Sequence, residues 1–227
     1  MDLSPLWISL KIALIATGIT FLLGLPAAWG VTHLGRGKHI VDGILSIPLV
    51  LPPTVVGFLL LILFGQSSAF GRFLQSIGIN VIFTWQGAVI AAVVVSFPVM
   101  YRGMRGAIEQ VDENLIHAAR TLGMREFTIL RRVILPSAWP GVAAAAVLSF
   151  ARALGEFGAT IMIAGNLPGK TQTMSVAVYT AMQGGNRGLA LKWVLIIVTF
   201  SLIILILMNY CTAAGFRRRR NATYGRH

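Results

Sequence analysis

Few residues in this 227-residue chain could do chemistry, and most of them are scattered. Arg152 and Glu156 stand four apart in "ARALGEFGAT", inside an apolar run where an isolated charge is costly unless paired or wet. Arginine ahead of glutamate is the weaker order for a helix-surface pair, so helix stability alone does not account for them. Two readings stay open: a neutralised pair packed between helices, or a pair that lines or latches a polar pathway. In the second, Gly155 and Gly158 let a neighbour approach closely or let this helix flex. Residues 165–171, "GNLPGKT", approach a phosphate-binding loop, but only three residues separate Gly165 from Gly169 where that loop needs four, and no buried strand precedes them. His33, His39, His117 and His227 lie far apart, and most of the seven acids fall in one polar stretch. No catalytic residue and no metal site is expected, so the chain itself should not be an enzyme. The single cysteine, Cys211, excludes an internal disulfide.

The elements that must position these groups are apolar. The chain is 56% hydrophobic and 11% charged, against about 25% charged residues in ordinary soluble domains, and its mean hydropathy is +0.78. A bilayer core requires about 20 mostly apolar residues per helix, because lipid makes every backbone amide bond internally. Residues 7–31, 41–64, 85–104, 137–164 and 189–214 meet that requirement, which predicts an all-α membrane protein of about five spans in one domain, 1–227. The first run is too long for a signal-peptide core, lacks a basic leader and follows Asp2, so it is retained as a helix. Pro48, Pro52 and Pro53 in "SIPLVLPPTVVG" remove backbone donors and must bend or loosen the second span. Either a moving wall or a static kink would use such a break, and Pro98 in the third span carries the same ambiguity. Residues 65–84 read as a loop with one helical turn lying on the membrane, and 165–188 as a second loop on the same side.

Charge position sets the orientation. With the N-terminus outside, thirteen of the 19 basic residues fall on inner segments, among them Arg102, Arg105, Arg120, Arg131 and the arginines at 217–220. Only Arg72, Lys170, Arg187 and Lys192 fall outside. This positive-inside bias predicts an outer N-terminus and a cytoplasmic C-terminus. The net charge of +12 then speaks for anchoring at anionic lipid rather than for nucleic acid.

The inner stretch from about residue 102 to 135 is too long for a connector. Asp112 reads as the N-cap of a helix over "ENLIHAARTLG", with Glu113 in its first turn and Gly123 as its stop. Leu115, Ala119 and Leu122 share a face, with Ile116 beside it. A second short helix follows, with Phe127, Leu130 and Ile134 on one side and Pro136 closing it. Two helices crossing at about 90° would make a compact knob; a solvated loop or a surface helix would show the same amphipathy.

The stretch resembles the cytoplasmic loop of permease subunits of ABC importers, usually written E-A-A, three residues, G, nine residues, I-x-L-P. Ala118, Ala119, Gly123, Leu135 and Pro136 match at that spacing, while His117 stands in place of the glutamate and Val133 in place of the isoleucine. The resemblance implies a type I importer permease fold whose coupling helices, within about 106–136, dock on a separate ATP-hydrolysing subunit. The docking residues would be His117, Ala118, Ala119, Arg120, Leu122, Gly123, Phe127 and Pro136. ATP and magnesium would then belong to the partner, with no cofactor in this chain.

"ARALGEFGAT" through "IAGNLPGKTQT", together with "PLVLPPTVVG", resembles the permeases of oxyanion importers, and the molybdate branch more than the sulfate branch. This implies a homodimeric pore in a bacterial cytoplasmic membrane, two ATP-binding-cassette subunits inside, and an extracytoplasmic molybdate-binding protein. Pro52, Pro53, Arg152, Gly155, Glu156 and Gly158 become the pathway or gate candidates. Sulfate, thiosulfate or tungstate permeases are the alternatives within that class. An ion-driven transporter should show more intramembrane acids, an inverted repeat and unwound half-helices in both halves, none of which the sequence shows, and a plain membrane anchor would not need the two cytoplasmic helices.

Overall fold

The computed structural model describes the backbone of residues 2–224 and the side chains of residues 2–206. Cys211, the arginines at 217–220, Arg226 and His227 lie outside the residues whose side chains are described. Among the described residues there are helices and no strands. In order they are α1 (Ser4–His33), α2 (Lys38–Val50), α3 (Pro53–Phe64), α4 (Ala69–Ser76), α5 (Trp85–Glu109), α6 (Glu113–Thr121) and α7 (Glu126–Ile129). A π-helical turn over Leu130–Ile134 leads into α8 (Leu135–Leu154), followed by α9 (Gly158–Ala164), α10 (Met174–Gln183) and α11 (Arg187–Tyr224).

Among the described residues, four continuous helices are long and apolar enough to cross a membrane: α1, α5, the rod Glu126–Leu154 and α11; α2 with α3 supplies a fifth if the bent pair counts as one span. Four or five spans thus stand where five were expected, and two of the expected five are not single helices. The second breaks between Val50 and Pro53 and turns through 104°. Leu51 and Pro52 are extended, with ψ of 139° and 135°, because each precedes a proline whose ring excludes the helical conformation. The fourth breaks after Leu154, so 137–164 is a long helix and a short one rather than one span.

Three further boundaries differ from the sequence reading. Helix α5 runs to Glu109, past the expected end near residue 104, and carries Arg102 and Arg105 on the helix itself. Pro136 does not close a second short helix: it lies in the first turn of α8, and the chain from Glu126 to Leu154 is one rod. The Leu135 N–H bonds to the Leu130 carbonyl, the wider spacing of a π turn, just where Pro136 would otherwise crowd the preceding turn of an α-helix. Finally, α10 occupies part of 165–188, where a loop was expected. It is capped by Thr173, whose hydroxyl accepts from the Val176 N–H at 3.4 Å, and buries Met174, Ala177 and Ala181. In contrast, α4 is the short surface helix expected in 65–84, two turns long, capped by Ser68.

Helices α1, α5 and α8 form the centre, and they meet through small residues. Ala13, Ala16, Thr20, Gly24 and Ala28 make a buried stripe along α1. On α5 and α8 the small residues are reciprocal: a Cβ added at Gly103 would lie 2.5 Å from the Ala145 Cβ, and one added at Gly141 would lie 2.6 Å from the Ala107 Cβ. Apolar burial does not drive association between helices in lipid, so such close backbone packing is what holds them. Substituting Gly103 or Gly141 with leucine should force α5 and α8 apart, at about 1–3 kcal/mol or more for overpacking. The expected result is reduced membrane accumulation and a lower thermal midpoint in detergent, with Gly106→Leu, which meets nothing within 4 Å, close to wild type as the comparison.

Candidate functional site

The two broken spans meet each other. A Cβ at Gly57 of α3 would fall 2.6 Å from the Ala159 Cα of α9, so these helices touch backbone to backbone. At their starts, a Cβ at Gly158 would lie 3.1 Å from both the Pro53 Cβ and the Thr54 Cγ2. Of the pathway candidates, the fold therefore brings Pro53, Glu156 and Gly158 to one place, with Pro52 in the adjoining bend. Gly155 sits at the end of α8 with ordinary dihedrals, and a Cβ there would meet nothing closer than 3.6 Å. Nothing in the structure requires glycine at that position.

Glu156 lies in the break itself and is 2% exposed. One carboxylate oxygen takes the Arg152 guanidinium at 2.7 Å, and the other accepts the Ala159 N–H at 2.8 Å. The acid thus joins the last turn of α8 to the first turn of α9, where unpaired N–H groups and the positive end of the helix dipole favour an anion. Arg152 is less enclosed than its partner, with 33% of its side chain exposed. One turn before Arg152, the buried Ser149 hydroxyl lies 3.3 Å from that of Thr20 on α1 and donates to the Ser96 carbonyl on α5 at 3.4 Å. Polar contacts therefore tie all three central helices together just before the break.

The other candidates form an elbow at the far end of α8. Asp112 caps α6 as expected, its Oδ1 accepting the Asn114 N–H at 2.9 Å. Gly123 has φ +73°, its N–H bonds to the Arg120 carbonyl, and the Met124 N–H bonds to the Ala119 carbonyl. This is the double closure that a left-handed glycine allows at a helix end. Arg120 and Glu126 clamp the turn with two bonds of 2.7 and 3.3 Å, and the Glu126 carboxylate holds the arginine's pKa above its ordinary value. His33 at the end of α1 lies 3.8 Å from the same carboxylate. Both expected faces are corrected: Ala119 is 4% exposed and turns inward with Ile116, and Leu130 and Ile134 are buried while Phe127, expected beside them, is exposed. Leu115, Ala118 and Leu122 point outward, as do Phe127, His117 and Pro136. Leu122 is 80% exposed and Phe127 67%, an apolar outcrop on the segment that is otherwise polar.

Sequence reasoning missed a second charged cluster. Asp42, within α2, accepts the Tyr101 hydroxyl at 2.9 Å and pairs with Arg105 of α5, which in turn bonds Glu109 at 2.9 Å; Lys38 meets the same glutamate at 2.9 Å. These contacts pin the first half of the broken span to α5. The signal was available, since Asp42 is a lone acid in an apolar run and such residues have partners.

A helical membrane subunit with two interrupted spans and a projecting elbow defines a class of transport component, and comparison with known proteins agrees. Residues 20–219 match the family described as the binding-protein-dependent transport system inner membrane component. The chain belongs to that family. It is 42% identical over 207 residues to the molybdenum transport system permease protein ModB of Escherichia coli, covering 89% of this chain and 90% of the relative. It is 41% identical over 208 residues to the putative molybdenum transport system permease protein YvgM of Bacillus subtilis, covering 91% and 92%. The sulfate transport system permease protein CysT of Salmonella typhimurium is 33% identical over 212 residues, covering 93% and 76%. Among solved structures, an inward-facing form of the MetNI methionine ABC transporter superposes with a TM-score of 0.73 at 20% identity, covering 93% of this chain and 94% of that one. The fold is thus that of ABC importer membrane subunits.

Glu156→Gln should leave Arg152 without a carboxylate. The expected destabilisation is about 3 kcal/mol, the lower end for a broken buried pair because the Arg152 side chain is partly exposed. Thermal unfolding of the purified chain measures it. Arg152→Gln combined with Glu156→Gln should recover most of the loss if the pair is structural; normal folding without transport in the double variant would place it in the pathway.

Proposed function

We propose that this chain is the membrane permease of an importer that carries molybdate across the bacterial cytoplasmic membrane, driven by ATP hydrolysis on a separate subunit. The observation that carries the reading is identity above 40% to two molybdenum permeases, sustained over about nine-tenths of each chain; the sulfate permease is more distant. Two copies of the chain would form the pore, with two ATP-binding-cassette subunits carrying ATP and magnesium on the elbow side and a molybdate-binding protein delivering cargo from the other. The positive-inside bias supports an outer N-terminus and a cytoplasmic elbow.

The geometry supports a mechanism. The apolar outcrop of Leu115, Leu122 and Phe127 is the docking face for the ATPase subunit, and Gly123 with the Arg120 to Glu126 clamp keeps it stiff. Because Phe127 belongs to the same rod as Arg152, a displacement at the elbow travels about 40 Å along the rod Glu126–Leu154, at about 1.5 Å per residue, to the break beside Glu156. There α9 bears on α3, the second half of the other interrupted span. Closure of the partner subunits would thus shift α9 against α3 across the two breaks and switch the pathway between its two faces.

Single cysteines at Ala118 and Leu122 should cross-link to the ATPase subunit in intact cells. Leu122→Glu should reduce ATP-driven molybdate uptake by tenfold or more, about the loss expected for one central apolar contact. Uptake into vesicles on an ion gradient without any ATPase subunit would contradict the reading, and sulfate outcompeting molybdate in the same assay would replace the substrate.

A further inference from the structure

At the end of the molecule opposite the elbow lies a cavity of about 510 Å³ between the start of α1, the start of α5 and the loop before α10. Lys11 lines it, two turns inside a membrane-spanning helix and about 33 Å along α1 from His33 at the elbow. The ammonium rests 3.7 Å above the centre of the Trp85 ring. Among the described residues no carboxylate pairs with it, unlike Arg152 and Arg105 in the other spans. Apart from the Trp85 face Lys11 is exposed, and it lines the cavity, which leaves the ammonium an open side for an anion.

A second cation shares the cavity. Lys170 comes from the "GNLPGKT" stretch, whose glycine spacing fits no nucleotide loop, and that stretch is tightly folded. The N–H groups of Lys170, Thr171 and Gln172 all bond to the Leu167 carbonyl at 3.0, 2.9 and 3.2 Å, and the Leu167 N–H returns to the Thr171 hydroxyl at 3.1 Å. Asn166 and Gln172 bond each other at 2.9 Å, and Asn166 also bonds Thr180 of α10 at 2.9 Å. Thr171 is buried at the cavity wall. The loop therefore presents Lys170 from a fixed frame, facing the same space as Lys11.

The geometry points to an oxyanion-binding site in this cavity, with Lys11 as its principal ligand and Lys170 as the second charge, at the entrance where cargo is handed to the membrane subunit. This rests on the reading that the cargo is an oxyanion. Two lysines converging on a cavity suit a tetrahedral dianion because ammonium groups act as point charges with adaptable donors, whereas no arginine fork is present to select a planar carboxylate. A phospholipid phosphate offers the same chemistry at this depth, so the test must separate the two sources.

Equilibrium binding of radiolabelled molybdate to the purified full chain, held in nanodiscs of phosphatidylcholine and separately of phosphatidylglycerol, makes that separation. Saturable binding is expected in phosphatidylcholine discs. Lys11→Gln should weaken it about tenfold, the loss of one charge-assisted contact, and Lys11→Arg should retain most of it. Lys170→Gln, on an exposed loop residue and so without risk to folding, should give a smaller loss. Unchanged binding in Lys11→Gln overturns the site. So does an outcome in which molybdate never binds and Lys11→Gln alters only the phosphatidylglycerol retained on extraction. A chain that binds sulfate at Lys11 but not molybdate keeps the site and overturns only the substrate named above. Normal molybdate uptake with no contribution from Lys11 overturns the site and leaves the permease reading in place.

Discussion

The carboxylate of Glu156 is the contact on which the interrupted architecture depends. A break inside a membrane-spanning segment exposes backbone groups that lipid cannot satisfy, and such breaks persist only where protein supplies the missing partners. Glu156 supplies one, accepting the Ala159 N–H ahead of it, and holds the Arg152 guanidinium behind it. The direction of α9 is thereby set, and α9 in turn fixes α3 through the approach of Gly57 to Ala159 and of Gly158 to Pro53. Two spans that would otherwise be independent defects become one buried junction.

The rest of the bundle is rigid by comparison. The reciprocal contacts of Gly103 with Ala145 and Gly141 with Ala107 leave no room for α5 and α8 to slide, and the Ser96, Ser149 and Thr20 contacts add polar ties in a medium where water cannot compete. Asp42 and Arg105 fasten α2 to α5 near the elbow. Against this frame, the proposed moving parts are the short helices beyond the breaks, α3 and α9, which are reached from the elbow through the unbroken rod of α7, the π turn and α8.

Much of this was legible in the residues. Apolar run lengths gave the number of spans, Asp112 and Gly123 gave both ends of α6, and the paired prolines marked the bend in the second span. What was not legible has physical reasons. An apolar run has the same composition whether it is one helix or two, so the stop after Leu154 went with a tertiary contact, the packing of Gly158 against Pro53 and Thr54 of α3. Pro136 usually signals an ending, and here a π turn that buries Leu130 and Ile134 absorbs it. Ala119 could face either way on a narrow amphipathic helix, and the burial of Ile116 decided it. Helix α10 was hidden because a loop rich in glycine and polar residues flanks it, although the Thr173 cap and the apolar spacing after it carried the signal. Lys11 escaped notice because a single cation near the end of a span reads as an anchor until its neighbours are known.

The central claim is that the junction between α3 and α9 moves during transport. A Cβ at position 158 lies 3.1 Å from the Thr54 Cγ2, about the distance a disulfide between those positions requires. The direct test is ATP-driven molybdate uptake by the assembled importer carrying Thr54→Cys and Gly158→Cys with Cys211 replaced by serine. Uptake should stop on oxidation and return on reduction, whereas uptake that continues unchanged with the bond shown to be formed would contradict the account.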